Sequence, residues 1–290
     1  MTMAVTLYRV AAFPVAGNGG NEAGVVLDAD TLTDKEMLSI AKRVNYSETA
    51  FVMNSERADY RLRFFTPTVE VPLCGHATIA TFNLMRNLEL IKSDDLRIET
   101  GEGVLNVRIL EEQVELQLSV PQFGTPIDPQ EVADVLDLDK ARLLNYPIQT
   151  VSTGIPEIFV GVDSSDTLAK LAPDAERIVT FCRKHGAVGI YVFTLDTRTE
   201  RADAQGRNFI PLVGIYEESA TGTASGALAS YLYTQGLLRK NQYYFEQGYA
   251  LFKPSCIHVT IQTDQEHVTD VHVGGRMRFI DRIVGFTPEK

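Results

Sequence analysis

The sequence predicts an α+β protein of two pseudo-symmetric halves, each a set of strands wrapped as a barrel around one central helix. Three observations carry this prediction: an internal duplication, two apolar segments with no polar face, and short alternating runs on either side of each segment.

The duplication emerges when ADYRLRFFTPTV, residues 58–69, is set against ADAQGRNFIPLV, residues 202–213. Identical residues stand at Ala58/Ala202, Asp59/Asp203, Arg63/Arg207, Phe65/Phe209, Pro67/Pro211 and Val69/Val213, an offset of 144. After three inserted residues, CGHATIA from Cys74 pairs with TGTASGA from Thr221 at an offset of 147, and Glu99–Gly101 pairs with Glu246–Gly248 at the same 147. One such match is chance among common residues, but a shared order at a near-constant offset marks a repeat. The expected halves are residues 1–124 and 125–290, joined near Pro121–Pro129, and a return of the C-terminal strand to the first half is left open.

The apolar segments run from Gly75 to Leu90 and from Gly222 to Leu237, with small residues near their starts and no proline. Each is too apolar all round for a surface helix, which predicts a buried one. The runs VTLYRVAAF, GVVLD, AFVMN and DYRLRFF before the first segment, and LRIET, VLNVRIL and VELQLSV after it, read as strands. Peripheral helices are expected over Thr33–Val44 and Asp174–His185, the latter carrying Cys182 as a small core residue.

Composition excludes several functions. A net charge of -11 and the absence of any Lys/Arg block with interleaved aromatics argue against nucleic acid. No apolar run approaches the roughly 18–20 residues that span a bilayer, and the N-terminal MTMAVTLYRVAAFPVAG, cut by Arg9, does not read as a signal peptide. Three scattered cysteines, Cys74, Cys182 and Cys256, with no CxxC, suit a reducing cytoplasm and give no zinc or disulfide spacing. With 44% hydrophobic residues the chain has ample material for cores without staples.

The chemistry gathers at the two glycine turns, Gly75 and Gly222, which open the buried helices. A helix start presents unpaired N–H groups and positive partial charge, and glycine lets an anion approach the main chain. Under pseudo-twofold symmetry both turns point into one cleft between the halves, an active site for a small carboxylate. The alternative is that the glycines only open two structural helices. His76 follows the first turn, where the charged imidazole is disfavoured, and Thr223 and Glu217–Glu218 flank the second. Cys74 and His76 alone lack partners at metal-ligand spacing, so no metal is expected. In NYSETAFV, residues 45–52, Glu48 enters an apolar strand with no basic residue nearer than Arg43 or Arg57. It is either a turn glutamate or a carboxyl that takes and returns a proton.

These residues together resemble the phenazine-biosynthesis PhzF-type isomerases, relatives of the diaminopimelate epimerases. The likeness runs through GNGGNEAGVV, SETAF, RFFTPTVEVPLCGHAT, STGIP, TGTASGAL, FEQG and KPSCI, with residues 63–78 the most specific stretch. The resemblance implies two diaminopimelate-epimerase-like domains, a homodimer, and neither organic cofactor nor metal. It places the proton-shifting glutamate at Glu48, the supporting histidine at His76, and the groups across the cleft at Glu218 and Thr223. Asn18, Cys74, Gly75 and Gly222 join Thr223 as substrate-binding candidates. In the phenazine enzyme the substrate is trans-2,3-dihydro-3-hydroxyanthranilate. Here E-E-S-A-T-G-T-A replaces the usual E-D-P-A-T-G-S-A, which points to an altered pocket. The epimerase relatives use a thiol before each glycine turn; here the second is Thr221, too weak a base for two-thiol epimerisation.

The expected function is a cofactor-independent isomerase that moves a proton between carbons of a small carboxylate-bearing substrate, with cyclic, dihydrohydroxyanthranilate-like molecules among the candidates. Two other readings stand beside it. One is an epimerase or racemase with Cys74 or His76 opposing Glu48; the other is a non-catalytic small-molecule binder of the same fold.

Overall fold

The computed structural model describes residues 4–287; the first three and last three residues of the expected halves lie outside them. Two compact units form: one takes the chain up to Gln117 together with the segment from Gly274 onward, the other is Leu118–Val273.

In the first unit β1 (Val5–Ala12), β2 (Asn21–Val26), helix α1 (Asp34–Val44), β3 (Glu48–Met53), β4 (Tyr60–Phe65) and the short β5 (Glu70–Val71) precede helix α2 (Gly75–Asn87), and β6 (Asp95–Thr100), β7 (Gly103–Ile109) and β8 (Val114–Leu118) follow it. The second unit repeats the plan: β9 (Gln122–Ile127), α3 (Pro129–Leu136), β10 (Ile148–Ser152), β11 (Pro156–Gly161), α4 (Ser165–Lys170), α5 (Ala175–His185), β12 (Gly189–Thr194), β13 (Ala204–Ile210), β14 (Ile215–Glu218), α6 (Gly222–Thr234), β15 (Gln242–Gln247), β16 (Ser255–Asp264) and β17 (His267–Gly275). The last strand, β18 (Met277–Phe286), pairs antiparallel with β1 of the first unit.

Pairing repeats with the sequence. In the first unit β1–β2 is antiparallel, β2–β3 parallel, β3–β4 antiparallel, β4–β6 parallel and β6–β7 antiparallel. In the second, β10–β11, β11–β12, β12–β13, β13–β15 and β15–β16 follow the same alternation. Each parallel pair needs a crossover: α1 and α2 supply those of the first unit, the α4–α5 segment and α6 those of the second. Thr33 caps α1 in a reciprocal capping box with Glu36, and Asn45 ends it in the left-handed region. Asp174 caps α5 and the left-handed Gly186 ends it.

The central helices have no exposed face near their starts: His76 to Met85 and Gly222 to Leu232 are buried throughout. Strands curl around α2, which packs on β1, β2, β3, β7 and β18, while α6 packs on β10 and β16. The outer face of each sheet carries a second layer. Met37 and Ile40 of α1 meet Leu7, Val26 and Phe51; Val132 of α3, Leu168 of α4 and Ile178 and Cys182 of α5 meet Ile158, Ile190, Val192 and Phe209. Cys182 is thus a core residue, and burial pushes its thiol up to about 12. With both faces covered, β12 and β13 are buried at every position and read as continuous apolar runs. The period of two still sorts them: Ile190 and Val192 face the outer layer, while Phe193 meets Tyr231 of α6 edge-on.

Small residues in α6 have a packing cause. A Cβ on Gly226 would stand 2.5 Å from Leu118 Cδ1 and 3.0 Å from Val271 Cγ1. Gly226→Val is therefore expected to cost about 1–3 kcal/mol by overpacking, read as a lower midpoint in urea unfolding.

Candidate functional site

The first unit brings Glu48, Cys74 and His76 together from distant points in the sequence. Cys74 is the N-cap of α2 and His76 lies in its first turn. Glu48 opens β3, held beside Ala23 of β2 by the parallel ladder. The His76 ring, 3% exposed, places Nε2 3.3 Å from Glu48 Oε2 and 3.4 Å from Ser47 Oγ. On the ring's other side Nδ1 is 3.2 Å from Asn21 Nδ2 and 3.4 Å from Cys74 Sγ. Burial pushes the imidazole below its usual range, against the opposing pull of the Glu48 charge and a hydrogen bond to the Glu22 backbone. The neutral form expected from the sequence follows here from desolvation more than from the helix start. Glu48 Oε2 is buried and makes no hydrogen bond to the described residues.

Chain spacing alone concealed a third donor beside Cys74 and His76. Ligand atoms of Glu48, Cys74 and His76 all lie within 4.8 Å of one another, so the spacing argument against a metal-ligand set does not hold in the folded chain. Among the described residues they form the group of three His, Cys, Asp or Glu side chains close enough to share one metal ion.

Gly75 sits between Cys74 and His76, and a Cβ built on it would meet no atom within 4 Å. Packing therefore does not demand glycine there, and the space beside the first turn of α2 stays open to a ligand. Asn18 is not drawn into this cluster. It lies exposed in a turn bridged to Val15, its amide donating to the Ala16 carbonyl. The asparagine that reaches His76 is Asn21, three residues along the same GNGGN motif. The second Asn of that motif was the available signal.

The second unit uses hydroxyls and amides where the first uses a thiol and an imidazole. Thr221, the N-cap of α6, donates from Oγ1 to Glu218 Oε2 at 2.6 Å. Its oxygen accepts from Asn208 Nδ2 at 2.9 Å and Gln247 Nε2 at 3.2 Å. The position opposite Cys74 in the repeat is thus an orienting group for Glu218. Thr223, buried beside Gly222 in the first turn of α6, receives Thr153 Oγ1 on its carbonyl at 2.8 Å. That bond ties the STGIP turn to the helix start. The two glutamates before the second turn have parted: Glu217 is locked in a buried pair with Arg207, whose guanidinium also donates to the carbonyls of Leu168 and Leu171. Sequence reasoning missed Glu157, which enters β11 2% exposed and accepts from Asn208 Nδ2 at 3.2 Å. Its signal was available, since it precedes an apolar strand as Glu48 does. Burial raises its carboxyl to about 7, only partly offset by Asn208.

Two strand-wrapped halves, each opening its central helix on a small polar turn, define a duplicated α+β fold that gathers polar side chains at its helix starts. The chain belongs to the phenazine biosynthesis-like protein family, whose model matches residues 10–279. It is 36% identical over 283 residues to an uncharacterized isomerase of Clostridium acetobutylicum, covering 93% of this chain and 94% of that protein. Among solved structures it is similar to a phenazine biosynthesis protein of the PhzF family from Bacillus anthracis, with 31% identity, a TM-score of 0.89, and 97% and 98% of the two chains covered. A probable proline racemase from Agrobacterium radiobacter shares the fold at 11% identity, with a TM-score of 0.64 over 96% of this chain and 92% of the other. No helix among the described residues is long and apolar enough to cross a membrane.

Two outcomes follow. Gly75→Ala is expected to unfold within about 0.5 kcal/mol of the wild type, because its methyl meets open space; denaturant melts check this. Glu157 titrates near 4.5 when unfolded and near 7 when folded. The folded chain holds the extra proton between these values, so its contribution to stability is full below about 4.5 and falls as pH rises to about 7. Tyr191 and Cys182 both sense its charge, and Asn208 bonds to it. Glu157→Gln should flatten the slope of unfolding free energy against pH across that window.

Proposed function

We propose that the protein is a cofactor-independent isomerase in which Glu48 moves a proton between two carbons of a small, carboxylate-bearing substrate. The observation that carries this reading is the Glu48 carboxylate oxygen, buried, free of any hydrogen bond to the described residues, and facing the desolvated His76 ring. A carboxylate so placed loses no protein hydrogen bond when it takes a proton. Relatives named isomerases and membership of the phenazine biosynthesis-like family support the reaction class.

In the first step a C–H bond breaks, the proton goes to a Glu48 carboxylate oxygen, and the electron pair is delocalised into the substrate. In the second the same proton forms a C–H bond at another carbon. Nothing is oxidised or reduced overall, and Glu48 returns to its starting form. His76, held by Asn21 and Ser47, stands 3.3 Å from the Glu48 carboxylate and limits where that group can sit. The open first turn of α2 at Gly75 offers N–H groups to the substrate carboxylate, which keeps negative charge near positive partial charge. This reading also keeps Gly222, Thr223 and the Thr221-oriented Glu218 as groups that hold substrate. The protein acts as a cytoplasmic homodimer in this reading.

A proton-exchange assay in D₂O with cyclic amino and hydroxy acids, dihydrohydroxyanthranilate first, tests the proposal. On the substrate that exchanges, Glu48→Gln should lose at least about 100-fold in rate, while Glu218→Gln raises KM. Constitutional isomerisation supports the reading; a labelled enantiomer would mean epimerisation instead. Wild-type turnover by Glu48→Gln would refute the mechanism.

A further inference from the structure

We infer that Glu48, Cys74 and His76 form a capture site for a thiophilic divalent cation of the zinc class, one that silences the proton-shifting carboxylate while it is bound. A tetrahedral ion with Zn–S near 2.3 Å and Zn–N and Zn–O near 2.0–2.2 Å sets its ligand atoms about 3.4 Å apart for N and O and about 3.6 Å apart for S and N. His76 Nε2 lies 3.3 Å from Glu48 Oε2 and 3.8 Å from Cys74 Sγ. The nitrogen–carboxylate separation already fits one ion, and Cys74 Sγ, 3.4 Å from Nδ1, turns toward the Nε2 side of the ring to complete a set whose ligand atoms lie within 4.8 Å of one another.

Charge favours the same occupant. A thiolate, a carboxylate and a neutral imidazole cancel the charge of a divalent ion, and the thiolate is an anion at a helix N-cap, where the dipole favours it. Binding releases the thiol proton to solvent, and no electron moves. A sulfur ligand excludes magnesium and calcium, which take oxygen donors, and selects zinc or its mimic cobalt. Part of the outer support is in place: the Glu22 backbone hydrogen-bonds the ring and Asn21 Nδ2 stands 3.2 Å from Nδ1, while Ser47 Oγ, 3.4 Å from Nε2, is the group the ion displaces. An imidazole that donates one ring N–H to a backbone carbonyl keeps its other nitrogen as a ligand. Three protein donors leave the fourth position to water, as in open zinc sites.

The duplication provides an internal contrast. At the matching positions of the second unit Thr221 stands for Cys74, Thr223 for His76, and β12 begins with Gly189 where β3 begins with Glu48. Only one of the two helix starts is equipped to bind such an ion. Binding itself does not depend on the isomerase reading; the silencing does, because a carboxylate oxygen and an imidazole lone pair held by a metal are unavailable to a substrate proton.

The test uses Co²⁺ as probe on the full-length, chelator-stripped protein under reducing conditions. A sulfur-to-cobalt charge-transfer band should rise to one ion per chain, with the visible bands of a four-coordinate ion, and Zn²⁺ should bleach both. Cys74→Ser should lose the charge-transfer band, His76→Gln and Glu48→Gln should each bind at least about tenfold more weakly, and Cys256→Ser should bind as the wild type does. Alkylation of Cys74 in the unsubstituted protein, followed by peptide mass spectrometry, needs no variant: Zn²⁺ should slow it at least about tenfold and Mg²⁺ should leave it unchanged. No saturable band, a band that survives Cys74→Ser, or equal alkylation with both ions overturns the inference. A protein that exchanges substrate protons in D₂O yet fails these metal tests loses the capture site alone and keeps its proposed function.

Discussion

Everything in this molecule depends on the need to cover a helix that has no side fit for water. Segments buried continuously from His76 to Met85 and from Gly222 to Leu232 can be stable only if strands surround them. Once that wrap exists, the helix sides are occupied and the N-terminal turn remains as the end where polar chemistry collects. The first turn of α2 is accordingly where Cys74, His76 and the incoming Glu48 meet.

Duplication made two such turns, and the side chains have since divided their tasks. The shared frame survives in details as small as Thr78 donating to the Cys74 carbonyl and Ser225 donating to the Thr221 carbonyl, both one helical turn on. Around that frame the first unit keeps groups able to exchange protons or bind soft ions. The second surrounds its carboxyl groups with hydroxyls and amides, Asn208 joining Glu157 to Thr221 and Thr221 joining Glu218 in one chain of hydrogen bonds. The buried acid at the head of that chain holds its proton to about pH 7, so the network is neutral at its deepest point.

Much of this was legible from residues alone, for physical reasons that differ by element. The capped helices after Thr33 and Asp174 declare their ends through side chains that bond their own backbone, and the central helices declare burial by lacking a polar stripe. The repeat located both glycine turns. What the sequence concealed were meetings across the fold. Asn21 and Glu48 approach His76 only because β2 and β3 run parallel with Ala23 beside Glu48, a register no local pattern encodes. For the same reason the sequence pointed to Asn18 and passed over Asn21, and Glu157 went unnoticed although its strand entry mirrors that of Glu48. The Arg207–Glu217 pair likewise depends on carbonyls at the end of α4, far away in sequence.

The pairing of β1 with β18 has a consequence for how the first unit closes. Leu7 lies opposite Ile283, so two strands far apart in sequence must meet before that edge of β1 is paired. Leu118–Val273, by contrast, is continuous in sequence. The unit that bears Glu48 and His76 therefore closes through a much longer loop, which costs chain entropy and slows its completion. Until β18 arrives, Val5, Leu7 and Val10 lie on a strand held on its β2 side alone, an edge open to pairing with another chain.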